Sequence, residues 1–495
     1  MLSRRAVLAG GAAALVASPL VARAQTEPPT IIKIGRRNIE VNGKSASVFS
    51  LDQPNGTPGL VTDVGKTFRV RVENGIDQPS LIHWHGLSPP WQQDGVPDVS
   101  APLIPPGGSA DYDFPLNYGG TFWMHSHADL QEQLLMAAPL IIHDQRDRPD
   151  QQEVVVMLAD FTFTSPEEIF ANLQKTGSMG GMAAMAAAGA GSSQKMGAGM
   201  KMGAAPPPTM AMGGMKMGGS AAAAPAPDLN DVKYDAFLAN DRTLADPEIV
   251  KVEPGGRVLL RIINSSAMSA YHFGLGALSG ELIAVDGIEI APIRGKDFPI
   301  AVAQRLDIRV TLPRGPGAYP LLAVLEGERR QTGVVLVAGN GAVARIPDDA
   351  QAASTALTLD FERSLRATKP LTPRKADRVH ILNLTGEMAG YIWSINNVVW
   401  NKDVPPLPVK AGERVELVFV NQTPMPHPMH LHGHLFQVVE IDGVRFQGAV
   451  RDTILIPPAR RVTVAFDADN PGWWAIHCHL LYHLDAGMFT TIKYV

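Results

Sequence analysis

One element occurs three times along the chain, and it constrains the fold more than any other feature. Each copy runs from a glycine to an asparagine nine positions later and contains a run of Val, Ile, Leu or Phe residues. The three copies are Gly65–Asn74, Gly255–Asn264 and Gly412–Asn421. A turn followed by such a run is typical of a β-strand with a buried face. Three copies over 495 residues predict three related β-sandwich domains.

Composition shifts divide the chain at two places. Residues 144–152 are polar with a proline, and residues 339–354 are rich in Gly, Ala and Asp, as linkers are. Elsewhere short apolar runs alternate with Gly/Pro turns, and no segment has sustained helical periodicity. We therefore predict an all-β protein with domain 1 at 25–145, domain 2 at 150–345 and domain 3 at 352–495.

The first 24 residues have the features of an export signal. Arg4 and Arg5 precede a Gly/Ala/Leu/Val stretch, and Ala22-Arg23-Ala24 is a small-x-small cleavage site. The paired arginines predict a twin-arginine signal peptide over 1–24 and a periplasmic or secreted mature protein without a membrane anchor. The net charge of −5 suggests no nucleic-acid partner.

The single cysteine of the chain, Cys478, lies between His477 and His479 and is followed by His483 and Met488. Cysteines of exported proteins usually pair, but a single one cannot form an intramolecular disulfide. One thiolate, two imidazoles and a distant thioether are the ligand set of a blue-copper electron-transfer site. A structural zinc site would gain nothing from a solitary thiolate beside a methionine. The flanking histidines make the cysteine a covalent bridge to a second metal centre.

Histidines form four clusters along the chain. Ten of the 14 fall in His83-Trp-His85, His125-Ser-His127, His427-Pro-Met-His430-Leu-His432, and His477-Cys-His479 with His483. Alternate side chains of a strand share a face, so each His-x-His pair aims both imidazoles the same way and Cys478 points oppositely. His427 and His483 can therefore meet Cys478 inside domain 3. The other eight imidazoles, four from domain 1 and four from domain 3, suit three metal ions between those domains.

The remaining histidines do not extend this pattern. Domain 2 has Phe273 where domains 1 and 3 have a histidine nine residues after the repeat, so we expect a metal-free spacer domain. We interpret His143, His272 and His380 as ordinary core or surface residues. His434 continues the alternation but is left over from the count of ligands.

The four clusters, H-W-H-G, H-S-H, H-P-M-H-L-H-G-H and H-C-H-L-L-Y-H-L-D-A-G-M, resemble the four signatures of the multicopper oxidases. They span residues 83–488, nearly the whole mature chain. The resemblance implies three consecutive cupredoxin-like Greek-key β-sandwich domains and four coppers per chain. It also implies a monomer that oxidises a donor at a type 1 copper and reduces O2 to two waters at a trinuclear cluster.

The resemblance further implies a role for each clustered residue. The implied copper ligands are His427, Cys478, His483 and axial Met488 for type 1, His83 and His430 for type 2, His85, His125 and His479 for one type 3 copper, and His127, His432 and His477 for the other. Electrons pass from Cys478 through its two neighbouring histidines. Asp94 occupies the place of an acid that the family uses near the cluster, so the resemblance implies a proton-relay role, the alternative being an Asp-Gly turn at a loop tip. The residue after His483 is the apolar Leu484, so a second proton path is not evident.

Ten of the 19 methionines lie within residues 179–217 among Gly, Ala, Pro and three lysines. Glycines and prolines at this density oppose a packed core, so burial does not account for the methionines. Soft thioethers select Cu(I). We therefore predict a Cu(I)-binding insertion in domain 2, the alternative being an incidental low-complexity linker. Its methionines are Met179, Met182, Met185, Met196, Met200, Met202, Met210, Met212, Met215 and Met217.

Three functions remain open at this point. The first is an exported multicopper oxidase whose physiological donor is Cu(I), acting in copper tolerance. The second is a laccase-like oxidase of phenols or aromatic amines. The third is a periplasmic copper-sequestering protein that uses the methionine-rich segment. The intact ligand set disfavours the third, because storage needs no thiolate relay.

Overall fold

The structure is a computed structural model that describes residues 28–148, 150–175 and 229–495. Strands of the described residues form six sheets, two in each predicted domain. The predicted all-β fold of three cupredoxin-like domains is confirmed, whereas the exact domain boundaries stay predictions. The predicted signal segment 1–24 and the methionines of 179–217 lie outside the described residues.

Domain 1 consists of two four-stranded sheets. Its strands are β1 Thr30–Val41, β2 Lys44–Asp52, β3 Leu60–Asp63, β4 Thr67–Asn74, β5 Ile82–His85, β6 Ser109–Pro115, β7 Gly120–Ser126 and β8 Ala137–His143. The strand orders are β2-β1-β4-β6 and β3-β8-β7-β5. Two 3-10 helices, Trp91–Gln93 and Gln131–Leu134, connect strands near the histidine clusters.

Domain 2 has a six-stranded and a five-stranded sheet. Its strands are β9 Gln151–Phe161, β10 Ala236–Ala239, β11 Ile249–Val252, β12 Arg257–Asn264, β13 Tyr271–Gly274, β14 Gly280–Val285, β15 Ile288–Gly295, β16 Asp297–Ile300, β17 Arg305–Thr311, β18 Gly317–Leu325 and β19 Gln331–Ala338. The orders are β10-β9-β12-β17-β14-β15 and β11-β19-β18-β13-β16. Residues 166–175 form a helix, α1.

Domain 3 contains the remaining strands and two five-residue helices. Its elements are α2 Asp360–Ser364, β20 Arg378–Glu387, β21 Ile392–Ile395, β22 Leu407–Val409, β23 Arg414–Asn421, β24 His427–Leu431, β25 Phe436–Ile441, β26 Val444–Arg445, β27 Val450–Arg451, β28 Thr453–Ile456, β29 Arg461–Asp467, β30 Trp473–Cys478, α3 Leu481–Asp485 and β31 Phe489–Tyr494. One sheet has the order β21-β20-β23-β29-β25-β26, with β27 on β25, and the other β22-β31-β30-β24-β28.

The three repeated elements become the equivalent strands β4, β12 and β23. Each pairs in parallel with the first strand of its domain, β1, β9 or β20. Each ends in a buried asparagine whose Nδ2 donates to two carbonyl groups, one four or five residues ahead and one on a distant loop or strand. These asparagines are Asn74, Asn264 and Asn421. A buried amide needs such partners, so the repeated asparagine fixes the same turn three times.

The helix α1 differs from the strand-based expectation. It begins after Ser165, whose Oγ accepts the N–H of Glu168 at 3.2 Å in the manner of an N-cap. Ile169 is buried, and Phe170 and Leu173 pack against the main core from the same face. Its three apolar contact residues are too few for a 3.6-residue period to stand out in the sequence. No helix among the described residues is long and apolar enough to span a membrane.

Candidate metal centres

Two pairs of neighbouring strands place the histidine clusters. In domain 1, β5 pairs with β7 so that His83 lies opposite His125. In domain 3, β24 pairs with β30 so that His430 lies opposite His477. Because side chains alternate along each strand, every His-x-His pair presents its imidazoles on one face. The rings of His127 and His477 meet at a centroid distance of 5.1 Å, so the two faces converge between domains 1 and 3.

A smaller group of ligand atoms lies inside domain 3. The Sγ of Cys478 is 3.6 Å from His427 Nδ1 and 3.8 Å from His483 Nδ1, and these two nitrogens are 3.1 Å apart. All three side chains are fully buried. Met488 is also fully buried, and its carbonyl accepts the N–H of Cys478 at 3.0 Å. The structure thus brings together the thiol and both imidazoles predicted for the type 1 site.

The opposite ring nitrogens of the two imidazoles have fixed partners. His427 Nε2 lies 2.6 Å from Thr423 Oγ1, and His483 Nε2 donates to Asp231 Oδ2 at 3.0 Å. Trp393 stacks on the His483 ring at 4.0 Å between centroids. These contacts leave both Nδ1 atoms directed at the sulfur, as a metal ligand set requires.

The surroundings of Cys478 suit a bound cation. Burial raises the pKa of its thiol far above the usual value, and burial lowers that of His427 well below its usual range. A buried thiol beside neutral imidazoles forms a thiolate only when a positive charge compensates it, and a soft copper ion supplies such a charge. These residues therefore fit the copper that the ligand set implies.

The other eight histidines lie in one group, in which seven side chains are buried and that of His127 is half-buried. In five of them one ring nitrogen is buried without any hydrogen-bond partner, and these atoms are His83 Nε2, His85 Nδ1, His125 Nε2, His430 Nε2 and His479 Nε2. Buried polar atoms are normally paired, so five orphaned nitrogens in one group fit the role of metal ligands. Several triads of these side chains have ligand atoms within 4.8 Å of one another.

The remaining three histidines point their Nε2 atoms at one another. His477 Nε2 lies 2.9 Å from His432 Nε2 and 3.4 Å from His127 Nε2. The other nitrogens of two of these rings face protein oxygens, His477 Nδ1 toward the Cys478 carbonyl at 2.9 Å and His432 Nδ1 toward Asp94 Oδ2 at 2.8 Å. The three converging nitrogens suit a single metal ion.

Burial favours the neutral form of seven of these imidazoles. It lowers the pKa of six of them far below the usual value, and that of His477 to about 3. The six are His85, His125, His127, His430, His432 and His479. A neutral imidazole retains a nitrogen lone pair, which is the form that binds a metal.

Asp94 lies beside this group rather than at a loop tip. Its side chain is fully buried, and its Oδ2 accepts from His432 Nδ1 at 2.8 Å. His83 Nδ1 is 2.8 Å from the Asp94 carbonyl and 3.3 Å from Oδ1. One residue therefore contacts a predicted type 2 ligand and a predicted type 3 ligand, and the Asp-Gly turn alone does not account for its burial.

Three further acids were missed by the sequence analysis. Glu132 lies 2.9 Å from His125 Nδ1 and 3.8 Å from His479 Nδ1, and burial raises the pKa of its carboxyl well above the usual range. Asp231 Oδ2 accepts from His483 Nε2, and Asp452 Oδ1 accepts from His85 Nε2. Glu132 follows His127 by five residues, which is the only sequence signal that any of the three carries.

The four histidines outside the clusters have ordinary partners. His143 pairs with Glu153, and His272 and His380 bond to backbone carbonyls. His434 is buried and bonds to the hydroxyl of Tyr494 at 2.7 Å. The contacts of His143, His272 and His380 agree with their interpretation as ordinary core or surface residues.

Comparison with known proteins agrees with this geometry. Sequence profiles of multicopper oxidase domains match residues 33–147, 152–341 and 373–495. Multicopper oxidase MmcO of Mycobacterium tuberculosis is 30% identical over 92% of this chain and 85% of that protein. A copper resistance protein A homolog of Pseudomonas syringae pv. tomato is 27% identical over 93% of this chain and 91% of that protein. The chain belongs to the multicopper oxidase family.

A solved structure shows the same fold. Fet3p, described as a multicopper oxidase that functions in iron import, superimposes with a TM-score of 0.75 at 19% identity, covering 94% of this chain and 90% of that one. With its family established, the chain is an oxidoreductase, and the activity general to the family couples oxidation of a donor to reduction of O2.

Proposed function

We propose that the chain binds four coppers at the residues predicted above. The proposed type 1 ligands are supported by the convergence of two Nδ1 atoms on the sulfur of Cys478. The proposed type 2 and type 3 ligands are supported by five orphaned ring nitrogens and by three Nε2 atoms that face one another. When bound, the coppers supply the one-electron steps that carry four donor electrons to O2 and yield two waters.

The backbone around Cys478 links the two centres. Its neighbours His477 and His479 belong to the eight-histidine group, while its own sulfur belongs to the smaller group. His477 Nδ1 also donates to the Cys478 carbonyl at 2.9 Å. We therefore propose that electrons pass from Cys478 to the two flanking imidazoles through a few covalent bonds and one hydrogen bond.

Protons for O2 reduction are proposed to pass through Asp94. Its carboxylate lies against His432 and His83 and is sealed from solvent. A carboxylate in this position can hold a proton at Oδ1, which has no hydrogen-bond partner in the structure. Asp94→Asn tests this role.

Cu(I) is the donor that we propose, with copper tolerance as its purpose. The observation that carries this proposal is the contact of Asp231 with His483, because Asp231 lies three residues after the end of the undescribed segment 176–228. On the other side of the segment, Phe170 of α1 stacks on Tyr482 beside the same site. Described residues that precede and follow the segment therefore lie close to the proposed type 1 ligands, and we propose that the methionines between them deliver Cu(I) there.

A laccase-like activity on phenols or aromatic amines is the second candidate. Its support is the match to fungal laccases, such as Laccase-2 of Thanatephorus cucumeris at 24% identity. Copper sequestration is the third candidate, and it depends on the methionines alone.

The deciding experiment compares O2 uptake with Cu(I) and with a simple phenol. Three forms of the copper-loaded protein are used: the full chain, a deletion of residues 179–217, and a variant with the ten methionines replaced by leucine. The leucine variant keeps the length of the segment and removes only its thioethers. Loss of the Cu(I) rate in both altered forms, with the phenol rate kept, supports a cuprous oxidase. If the Cu(I) rate is the same in all three forms, this proposal is contradicted and the laccase-like activity is favoured. If no form takes up O2 although copper is bound, copper storage is favoured.

Export by the twin-arginine route is proposed from Arg4 and Arg5 within the signal segment 1–24. The mature protein is then periplasmic or secreted, and we propose that it is a monomer. Replacing both arginines with lysine should retain the protein in the cytoplasm, as judged by cell fractionation. Sedimentation of the purified mature protein tests the monomer.

A further inference from the structure

Arg305, at the start of β17 in domain 2, is fully buried where the three domains meet. Its Nε donates to the carbonyl of Thr121 in domain 1 at 3.2 Å. Its Nη1 and Nη2 donate to the two carboxylate oxygens of Asp452 in domain 3, Nη1 at 2.8 Å. Bidentate pairs of this kind fix the plane of the carboxylate as well as its position.

Asp452 in turn holds two of the eight clustered histidines. Its Oδ1 accepts from His85 Nε2 at 3.0 Å, and its backbone carbonyl accepts from His430 Nδ1 at 2.9 Å. The two imidazole rings stack at 3.8 Å between centroids and 16° between planes. A single residue thus orients one ring from domain 1 and one from domain 3.

His85 differs from the other orphaned histidines in which nitrogen is free. Its Nδ1 is unpartnered, whereas His83, His125, His430 and His479 leave Nε2 unpartnered. The hydrogen bond at one ring nitrogen decides which nitrogen faces a metal. The carboxylate of Asp452 at 3.0 Å, together with the Thr453 hydroxyl at 3.2 Å from the same nitrogen, therefore determines that His85 presents Nδ1.

The glycine of the H-W-H-G motif lies against this ion pair. Gly86 has a φ of +89°, and a Cβ there would lie 2.5 Å from Arg305 Nη2 and 2.8 Å from Asp452 Oδ2. A side chain would displace the pair or the strand that carries His85. Copper ligation does not require this glycine, but close packing on the ion pair does.

We infer that Arg305 is a positioning residue of the copper cluster. It holds Asp452 so that His85 presents Nδ1 to the metals and His430 presents Nε2. The inference rests on the cluster of the proposed function and goes beyond it, because it makes domain 2 part of the site. From the sequence, domain 2 was predicted to be a spacer. Outer contacts of this kind typically contribute about 10- to 100-fold to metal affinity.

Arg261 provides a matched control. It is also a domain 2 arginine, 2% exposed, and lies on β12, the neighbour of β17 in the sheet. Its guanidinium donates to Thr121, Glu153, Asp147 and Asp307. None of these four contacts reaches one of the eight histidines, so its loss weakens a buried ionic network without altering the cluster.

The test compares Arg305→Lys with Arg261→Lys in the copper-loaded protein. Lysine keeps the charge and removes the two-pronged contact. We expect Arg305→Lys to keep the type 1 blue band. The chelator concentration that removes its cluster copper should be lower than for the unmodified protein by about 10-fold or more. Its type 2 EPR spectrum should change, and a crystal structure of its apoprotein should show a rotated His85 ring. Arg261→Lys should match the unmodified protein in all four measurements.

The outcomes separate the inference from the proposed function. If the unmodified protein holds no copper at the eight histidines, the proposed function fails. If it holds its full complement and Arg305→Lys behaves as Arg261→Lys does, only the positioning role is refuted. Asp452→Asn is the second variant should Arg305→Lys not fold. An asparagine amide has one oxygen and one NH2 group, so it cannot accept from both nitrogens of Arg305 and from His85 as the carboxylate does. An unchanged type 2 EPR spectrum of Asp452→Asn therefore also refutes the role.

Discussion

Asp231→Ala removes the acceptor behind the proposed type 1 site. Asp231 Oδ2 accepts from His483 Nε2 at 3.0 Å and from the hydroxyl of Tyr391 at 2.5 Å. The His483 side chain is completely buried, so water does not replace the lost acceptor without opening the structure. The His483 ring then loses the bond that directs its Nδ1 toward Cys478.

The size of the effect follows from these contacts. A buried donor left without a partner costs about 1–3 kcal/mol. If the ring avoids this cost by turning away, the orientation that binds copper becomes less populated by a factor of about 5 to 150, since 1.4 kcal/mol corresponds to about tenfold at 25 °C. The stacking of Trp393 on the ring at 4.0 Å opposes rotation and favours the lower part of that range. We expect copper to bind the type 1 site about tenfold more weakly.

The assay is a copper titration of the apoprotein, followed by the blue absorption band and by the rate of O2 uptake with Cu(I). Asp235→Ala is the matched control. Asp235 accepts from Thr162 Oγ1 and from the N–H of Phe163. It lies four residues after Asp231 in the sequence, and its bonds reach none of the proposed ligands.

The reasoning is wrong if Asp231→Ala binds type 1 copper as tightly as Asp235→Ala does. It is also wrong if both variants oxidise Cu(I) at the unmodified rate. Loss of the Cu(I) rate with an unchanged blue band would mean that Asp231 acts on the Cu(I) donor rather than on the ligand His483. This result would refute its orienting role.

Four further predictions follow from the same geometry. Cys478→Ser should abolish the blue band and all turnover, and a surviving band would refute the type 1 assignment. His127→Ala should keep the blue band and stop O2 reduction, as measured with an oxygen electrode. Asp94→Asn should slow O2 uptake by about 10²-fold or more while total copper stays unchanged; a normal rate would leave Asp94 as a turn residue. Burial raises the pKa of Glu326 from 4.5 to about 7. The folded protein therefore keeps a proton that the unfolded chain releases, and its stability falls by up to about 3 kcal/mol as the pH rises from 4.5 to 7. Glu326→Gln should flatten this part of the melting-temperature profile, and a profile identical to that of the unmodified protein would exclude the effect.

The sequence predicted the parts of the site that follow a local pattern. Alternation along a strand was enough to separate Cys478 from His477 and His479, because side chains of successive residues point to opposite faces. The repeated glycine-to-asparagine element likewise predicted three domains, since the same buried amide recurs at the same turn.

The contacts between domains could not be predicted in this way. His85 and Asp452 are 367 positions apart, and His483 and Asp231 are 252 positions apart. A lone acid has no spacing that connects it to a partner, and only the packed fold supplies the connection. The role of Arg305 was missed for the same reason, because a single arginine far from the four histidine clusters in sequence shows no pattern.

The division of the eight histidines between the two ends of the chain has a consequence for biosynthesis. His127 and His477 meet across 350 positions of sequence. A chain whose synthesis has reached only domain 2 has four of the eight histidines, which do not suffice for three metal ions. We therefore expect copper to enter the proposed site only after domain 3 has been made and has docked on domain 1, so a partly made chain does not trap metal there prematurely.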